Sequence, residues 1–367
     1  MEYVNLGDVA TYINGYAFKP EQRGKKGLPI IRIQDLNGNS HDLGFFDGEY
    51  PEQVEINTGD ILISWSGSLG VYKWNKGKAL LNQHIFKVLF NKIEIDKEYF
   101  CYAIRNSLSE MSLETHGATM KHITKKDFDN ILIPYPDLNA QRQIANNLET
   151  VNELIESYEK ELILLEQLIK ARFIEMFGST HNSKTFVYYP LNEITTVCSG
   201  GTPNRDNKAY WESGTIPWVK TTELKNNRLT HVEEFITELG LEESSAKLVP
   251  SDTVLIAMYG QGKTRGMTGY LEIEATTNQA CACILPTNKM NMIYLWKYFE
   301  LSYDKLRELA KGGNQPNLNC TMIRDFKILV PPIELQNQYA DFVQQVDKSR
   351  FDIKKSITEL ERQVVYD

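Results

Sequence analysis

The stretch ILIPYPDLNAQRQI, residues 131–144, returns near the C-terminus as ILVPPIELQNQYA, residues 328–340. Each runs from an apolar strand through prolines and an acidic step to two glutamines, and then opens a long helical pattern. Pro134 and Pro136 in the first copy, and Pro331 and Pro332 in the second, stop the strand and start the helix on a fixed heading. Behind the first stretch the apolar positions run Ile144, Leu148, Val151, Ile155, Tyr158, Leu162, Leu165 and Ile169, and later Met176. Behind the second they run Tyr339, Val343, Val346, Ile353, Ile357, Leu360 and Val364. Spacings alternate between four and three, the signature of a coiled-coil seam. Each seam carries one arginine, Arg172 or Arg350. A helix over 139–177 would be about 58 Å long at about 1.5 Å per residue, with Gly178 as its stop. A helix of that length with a single seam needs a partner, and the other copy's helix is the obvious one.

The repetition extends upstream. Leu6-Gly7-Asp8-Val9 answers Leu191-Asn192-Glu193-Ile194, and Leu28-Pro29-Ile30-Ile31 answers Ile216-Pro217-Trp218-Val219. Asp60-Ile61-Leu62-Ile63 answers Asp252 to Ile256 with a one-residue slip. Asn82-Gln83 answers Asn278-Gln279, and Asp127-Phe128 answers Asp325-Phe326. The offset drifts from 185 to 198 and returns to 195, as loop insertions in a diverged duplication would make it. Two copies of this length are too few and too long for a solenoid. Short apolar runs flanked by Gly, Asn and Pro read as strands: 28–33, 60–64 and 84–90, then 216–221, 253–258 and 280–285. Helical pieces follow at 97–109 and 292–310. The expected fold class is α+β (mixed α/β), with two homologous globular domains, 1–137 and 179–333. Two long helices, 138–178 and 334–367, separate them as an antiparallel coiled coil.

The 367 residues suffice for two ordinary domains, and 42% apolar with 24% charged residues is usual for a globular chain. No run of 18 apolar residues and no basic-then-apolar N-terminus occurs, so no membrane span and no secretory signal are expected. The five cysteines have unrelated spacings, without a CxxC pair, and read as reduced structural thiols in a cytoplasm. The net charge of −8 argues at first against nucleic acid, but five of the eight excess negatives fall in 138–177 and 334–367. Elsewhere basic residues cluster. Lys19, Arg23, Lys25 and Lys26 form one group. Lys73, Lys76 and Lys78, interleaved with Tyr72 and Trp74, form another. Lys220, Lys225 and Arg228, then Lys263 and Arg265, follow. A patch can bind phosphate on an acidic protein because charges beyond about 10 Å are screened; the plainer reading is solvated surface lysines.

The chain resembles the DNA specificity subunit of a type I restriction-modification system over essentially its whole length. The resemblance lies in GDILISWSGSLGVYKW (59–74), SGGTPNRDNKAYWESGTIPWVKTTELKNN (199–227), DTVLIAMYGQGKTRGMTGY (252–270), TTNQA (276–280), GGNQPNLN (312–319) and both helix entries, in that duplicated order. One departure is that the second helical segment is shorter than the first. The resemblance implies two target-recognition domains, each reading one half of a split double-stranded DNA site. It implies helices that set the spacer and dock methyltransferase subunits, two in number, and a restriction/translocase subunit. S-adenosylmethionine, ATP and Mg would serve those partners, with no cofactor, metal or catalytic residue in this chain. A recognition chain for a methyltransferase-only or other defence system is the alternative.

Candidate DNA-binding residues follow from both readings. In the first copy a strand ends at Ser64 and enters a Gly/Ser loop with Ser66 and Ser68, followed by Tyr72, Lys73, Lys76 and Lys78. In the second, Gln261, Lys263, Thr264 and Arg265 occupy the corresponding Gly-rich loop. Glycines permit close backbone approach, Lys and Arg neutralise phosphates, and Arg or Gln can read base edges. Asn82, Gln83, Asn278 and Gln279 either hydrogen-bond adenine edges or phosphates, or satisfy a strand end. Lys121, Lys220, Thr221, Gln315 and Asn317 complete the set. Trp65, Trp74, Trp211 and Trp218 read as packing residues, since duplex DNA offers few exposed base faces.

Rival chemistries fit less well. AMYGQGKT (257–264) approximates a P-loop, but Gly266, Gly269 and a strand-like run follow where a P-loop needs a helix. Glu223-Leu224-Lys225 with Asp206 resembles part of a nuclease site, on no apolar strand. No methyltransferase tetrapeptide, G-x-S-x-G elbow or His-x3-His pair is present.

Overall fold

The computed structural model describes residues 2–39, 42–114, 124–180, 183, 185–260, 262–310 and 317–366, with side chains except at 109–114 and 365–366. The chain divides into two compact units. One comprises Met1–Ser157 with Ile357–Asp367, the other Tyr158–Ser356. Each therefore holds one globular α+β body and one part of each long helix.

In the first unit, Tyr3–Asn5 pairs antiparallel with Leu132–Pro134, so the start of the body is tied to the strand that launches the helix. A four-stranded antiparallel sheet follows the order Thr11–Asn14, Ile85–Leu89, Ile61–Ser64, Gly70–Lys73. A second sheet sets Leu28–Ile31 parallel to Ala79–Leu81. The helix Lys97–Glu114 contributes Tyr99, Phe100 and Ile104 to the core, with Leu6, Tyr12, Ile63, Val88 and Phe128. Burial of such aliphatic and aromatic surface is the main stabilising term of each body.

The second unit repeats this plan. Tyr188–Pro190 pairs with Lys327–Leu329. Val197–Ser199, Cys281–Ile284, Val254–Ala257 and Thr268–Leu271 form the antiparallel sheet, and Asn227–Leu229 adds a parallel edge. Ile216–Val219 lies parallel to Thr276–Thr277. Here the helical piece is two helices, Met292–Leu301 and Tyr303–Leu309, joined at Ser302, where the sequence pattern suggested one. The expected strands 28–33 and 216–221 are likewise shorter. Ile33–Leu36 and Thr221–Glu223 are already helical turns, because Asp35 and Glu223 accept the backbone N–H of Arg32 and Lys220.

Backbone hydrogen bonds correct the alignment of the copies at two points. Leu6 N donates to Ile131 O, and Leu191 N donates to Phe326 O. Ile131 thus answers Phe326, and Phe128 answers Ile323, both fully buried, rather than Phe326 as the repeated Asp-Phe suggested. Gly59 N donates to Trp74 O, and Asp252 N donates to Leu271 O. Gly59 thus answers Asp252, and both take a left-handed φ, +97° and +64°. Asp is among the few residues besides Gly that tolerate this conformation.

The quoted stretches fold into the same joint. Gln141 and Gln336 are buried, at 0% and 1% exposure. Gln141 Oε1 accepts from Asp96 N at 2.9 Å, and its Nε2 donates to Pro136 O at 2.8 Å. Gln336 Oε1 accepts from Asn291 N at 2.9 Å, and its Nε2 donates to Pro331 O at 2.7 Å. Asp96 and Asn291 in turn cap the domain helices through the N–H groups of Glu98 and Tyr99, and of Ile293 and Tyr294. One amide therefore ties the start of each long helix to the start of its own domain helix.

The long helices span Leu138–Phe177 and Ile333–Tyr366. In the central helix Ile144, Leu148, Val151, Ile155, Leu162 and Leu165 are half-buried and Ile169 is buried, whereas Leu154, Ile163, Leu164, Leu168 and Ile174 are exposed. In the C-terminal helix Val343, Val346 and Ile353 are buried, Ile357, Leu360 and Val364 half-buried, and Phe351 exposed. Within the second unit Tyr339, early in the C-terminal helix, meets Phe173 and Phe177, late in the central helix, and donates its hydroxyl to Ile169 O. The residues after Ile357 group instead with the first half of the central helix. Opposite ends meet, so the pair is antiparallel. Past Ile169 the buried face follows Phe173 and Phe177 rather than the four–three seam, because the aromatic rings of Tyr294, Tyr298 and Tyr339 provide the partner surface there. Arg172 lies over the Phe342 ring and pairs with Glu175. Arg350 faces Asp347, which also holds Arg228 at 3.0 Å. Burial opposes the charge of Arg228, but the Asp347 and Glu272 carboxylates outweigh it and raise its pKa.

The glutamine joint yields a direct test. Gln336→Leu strips the partners from Asn291 N–H and Pro331 C=O, and costs about 1–3 kcal/mol for each group left unsatisfied. Gln338→Leu, two residues on and exposed, changes stability by less than about 0.5 kcal/mol. Urea unfolding of the two variants measures the contrast.

Candidate nucleic-acid interface

Hydrogen bonds between loops bring the motif segments together at one end of each main sheet. In the second body Met258 N donates to Ala280 O, Leu318 N to Met258 O, and Gly201 N to Thr277 O. The loop after Val254–Ala257, the NQA turn, the 317–319 segment and the SGGT turn therefore meet. Thr202 Oγ1 hydrogen-bonds Gln279 Oε1 across this end. Gln279, Lys263 and Asn317 are exposed here, and Thr264 and Arg265 are half-buried. Among the described residues Lys263 takes part in no ion pair. The first body has the same convergence. Trp65 N donates to His84 O, Gly15 N to Ile85 O, and Gln83 N to Tyr16 O. Gln83 and Ser68 are exposed, whereas Ser66 is buried.

Other candidates sit elsewhere. Ser64 pairs with Gly70 and Ile61 with Lys73, so Lys73 is at the opposite end of its strand from the Gly/Ser loop. Lys73 is ion-paired with Glu98, which raises its pKa, and Lys78 is likewise held by Glu55 at 2.8 Å. Lys76 is exposed. The Tyr72 hydroxyl bonds Asn37. Lys220 pairs with Glu233 at 2.7 Å and Glu234 at 2.9 Å, which raise its pKa in that order. Thr221 opens the short turn after it. The Asn-Gln pairs divide in role. Asn82 N and Asn278 N continue the parallel strand pairings to Ile31 O and Val219 O. Asn278 Oδ1 accepts Ala280 N, while Asn82 Oδ1 is buried without a hydrogen-bond partner. Gln83 and Gln279 face solvent. Lys121, Gln261 and Gln315 lie outside the described residues. The tryptophans pack: Trp74 and Trp218 are buried, with their indole N–H on Gly77 O and Gly201 O.

The end of the second body shows how its loop is built. After Ala257 the chain turns through Gly260, Gly262 and Gly266, all at positive φ, and re-enters the strand Thr268–Leu271. A strand follows Lys263-Thr264, so no helix N-terminus addresses a bound phosphate as a P-loop requires. Among the described residues no group of three His, Cys, Asp or Glu side chains could hold a metal ion, and no helix is long and apolar enough to cross a membrane. Sequence reasoning missed Thr202, which reaches Gln279 across 77 residues, and also Tyr303 and Arg307, which reach the loop across about 40. No local pattern marks such partners.

This duplicated architecture has counterparts among known proteins. The family model for the type I restriction modification DNA specificity domain matches twice, over 1–167 and 183–362. The chain is 24% identical to the type I restriction enzyme EcoBI specificity subunit of Escherichia coli over 391 residues, covering 96% of this chain and 81% of that one. It is 24% identical to the MjaVIII specificity subunit of Methanocaldococcus jannaschii over 373 residues, covering 94% and 86%. In fold it is similar to a type I restriction-modification S subunit from M. genitalium, with a TM-score of 0.58 and 17% identity, covering 99% and 93%. It is also similar to a chain from a structure of type I R-M complex assembly and conformational transition, with a TM-score of 0.65 and 17% identity, covering 99% and 95%. Two matches of one domain model, each spanning one copy of the repeat, place the chain in the type I restriction-modification DNA specificity family.

Proposed function

We propose that this chain is the sequence-reading subunit of a type I restriction-modification complex, with each globular body recognising one half of a bipartite double-stranded DNA site. The observation that carries this reading is the pair of convergent loop ends. The scaffold and helix joint are the same in both copies, whereas the loops at the sheet ends differ, as two different half-sites require. Ser66, Ser68 and Gln83 stand at one end, and Lys263, Thr264, Arg265, Gln279 and Asn317 at the other. Lys263 supplies phosphate neutralisation, and Arg265 or Gln279 could bond a base edge. The antiparallel helices act as the spacer, holding the half-sites about one helical turn apart. Methyltransferase subunits, two per chain, dock on the bodies and helices and carry S-adenosylmethionine chemistry. A restriction/translocase subunit uses ATP and Mg. The chain itself is non-catalytic and works in the cytoplasm.

Methylome sequencing of cells expressing the chain with its methyltransferase partner should return a two-part motif with a fixed unspecified gap. A continuous motif would sink the two-body reading. The double variant Lys263→Ala/Arg265→Ala should weaken binding of a duplex bearing that motif about tenfold or more, measured by fluorescence anisotropy of the assembled complex. Matched insertions of four residues in both helices should widen the gap by about one or two base pairs, from about 1.5 Å per residue against about 3.4 Å per base pair. An unchanged gap would remove the spacer role.

A further inference from the structure

We propose that Tyr303 and Arg307 are positioning residues for sequence readout by the second body, holding the 262–267 turn in the conformation that presents Lys263 and Arg265. This rests on the reading of that loop as a DNA-facing element.

The loop is closed at its root by backbone bonds, Gly266 N to Ala257 O at 2.8 Å and Met267 N to Thr264 O at 3.0 Å, but neither uses the Lys263 or Arg265 carbonyl. In the first body the strand before the loop ends in Ser64, whose hydroxyl donates to Ser68 O at 2.5 Å and so ties the loop to its own root. In the second body Ala257 stands at the equivalent strand end and has no hydroxyl to offer. Three glycines at positive φ give the loop wide conformational freedom. A further restraint comes from the helix Tyr303–Leu309. The Tyr303 hydroxyl donates to Lys263 O at 2.7 Å. Arg307 Nη1 donates to Arg265 O at 2.8 Å and to the Tyr303 hydroxyl at 3.0 Å. Lys263 and Arg265, the two basic residues of the loop, are therefore both held by their carbonyls. Gly266, at φ +89°, lies against the Tyr303 ring and the Arg307 stem, where a Cβ would stand 3.4 Å from each.

The tyrosine of the clamp has no counterpart among the described residues of the first copy. Tyr99 and Tyr294 make the same hydroxyl bond, to Pro134 O and Leu329 O, which aligns the two domain helices at an offset of 195. At that offset Tyr303 answers Leu108, a buried core residue with no hydroxyl. A device at the loop that lacks the serine side-chain tie serves that loop rather than the shared scaffold. Two restrained carbonyls on either side of Thr264 confine the directions in which Lys263 and Arg265 leave the backbone. Loss of that confinement lets the loop sample other conformations and accept other bases, because discrimination depends on groups held in place before binding.

The test uses the chain assembled with its methyltransferase subunits. Tyr303→Phe keeps the ring against Gly266 and removes only the hydroxyl; Arg307→Leu removes the carbonyl donor. Lys263→Ala/Arg265→Ala identifies which half-site the second body reads. In the clamp variants, methylome sequencing should show that half-site relaxed at one or more positions, with the other half-site unchanged. The ratio of binding to the native duplex over a duplex substituted in that half-site should fall about fivefold or more. Thermal unfolding reports separately on general destabilisation. An unchanged motif with unchanged discrimination overturns the proposal, as does methylation reduced equally at all sites with both half-sites intact, which marks a merely structural role. If Lys263→Ala/Arg265→Ala itself leaves motif and affinity unaltered, the DNA-facing reading of the loop fails. If that variant acts and the clamp variants do not, only the clamp fails.

Discussion

A buried glutamine at each helix entry is the constraint on which the architecture depends. An amide carries both a donor and an acceptor, and inside a protein both must be used. Gln141 and Gln336 use them on two different segments: the proline carbonyl that launches the long helix, and the backbone N–H at the cap of the domain helix. Two helix starts are thereby tied to one side chain. The exit direction of each long helix is set from its own body, and the seam follows from that direction. A shorter or apolar residue at this position would leave two buried backbone groups without partners.

Around that joint the two bodies keep their backbone pairing while their side chains diverge. Gly59 and Asp252 solve the same left-handed turn, one with no Cβ and one with a short polar side chain. Arg32 and Lys220 stand at equivalent strand ends above the same kind of capped turn, yet they are neutralised by different carboxylates, Asp35 in one body and Glu233 and Glu234 in the other. Ser64 ties its loop through a side-chain hydroxyl, where Ala257 offers only its backbone and a neighbouring helix adds Tyr303 and Arg307. The scaffold thus tolerates exchange wherever a local substitute satisfies the same backbone group. Variation at the loop ends is compatible with an unchanged core.

The helices and the duplication were legible because both are repetitive signals. A four–three apolar period over many turns has few readings, and the positions it marks are those turned from solvent along most of both helices. It fades past Ile169, where Phe173 and Phe177 pack on the body's own aromatics and a seam template cannot anticipate them. The loop ends were legible as Gly-rich breaks after apolar strands. The basic clusters were less so. Lys73, Lys78 and Lys220 each stand near other candidates in sequence, but carboxylates from other segments pair with them. A count of lysines along a chain does not show which of them face a partner.

By itself, then, the amino-acid sequence determined that there are two copies of one body, each launched onto a long helix with a single apolar seam, because period, proline placement and duplication are properties of the chain read locally. The tertiary structure alone decided that the first glutamine of each entry is buried and the second exposed, that the copies align through Ile131 and Phe326, and that Tyr303 and Arg307 reach the Gly-rich loop. Those outcomes rest on hydrogen bonds between segments about 40 to 135 residues apart, formed only when burial makes each unpaired donor and acceptor costly.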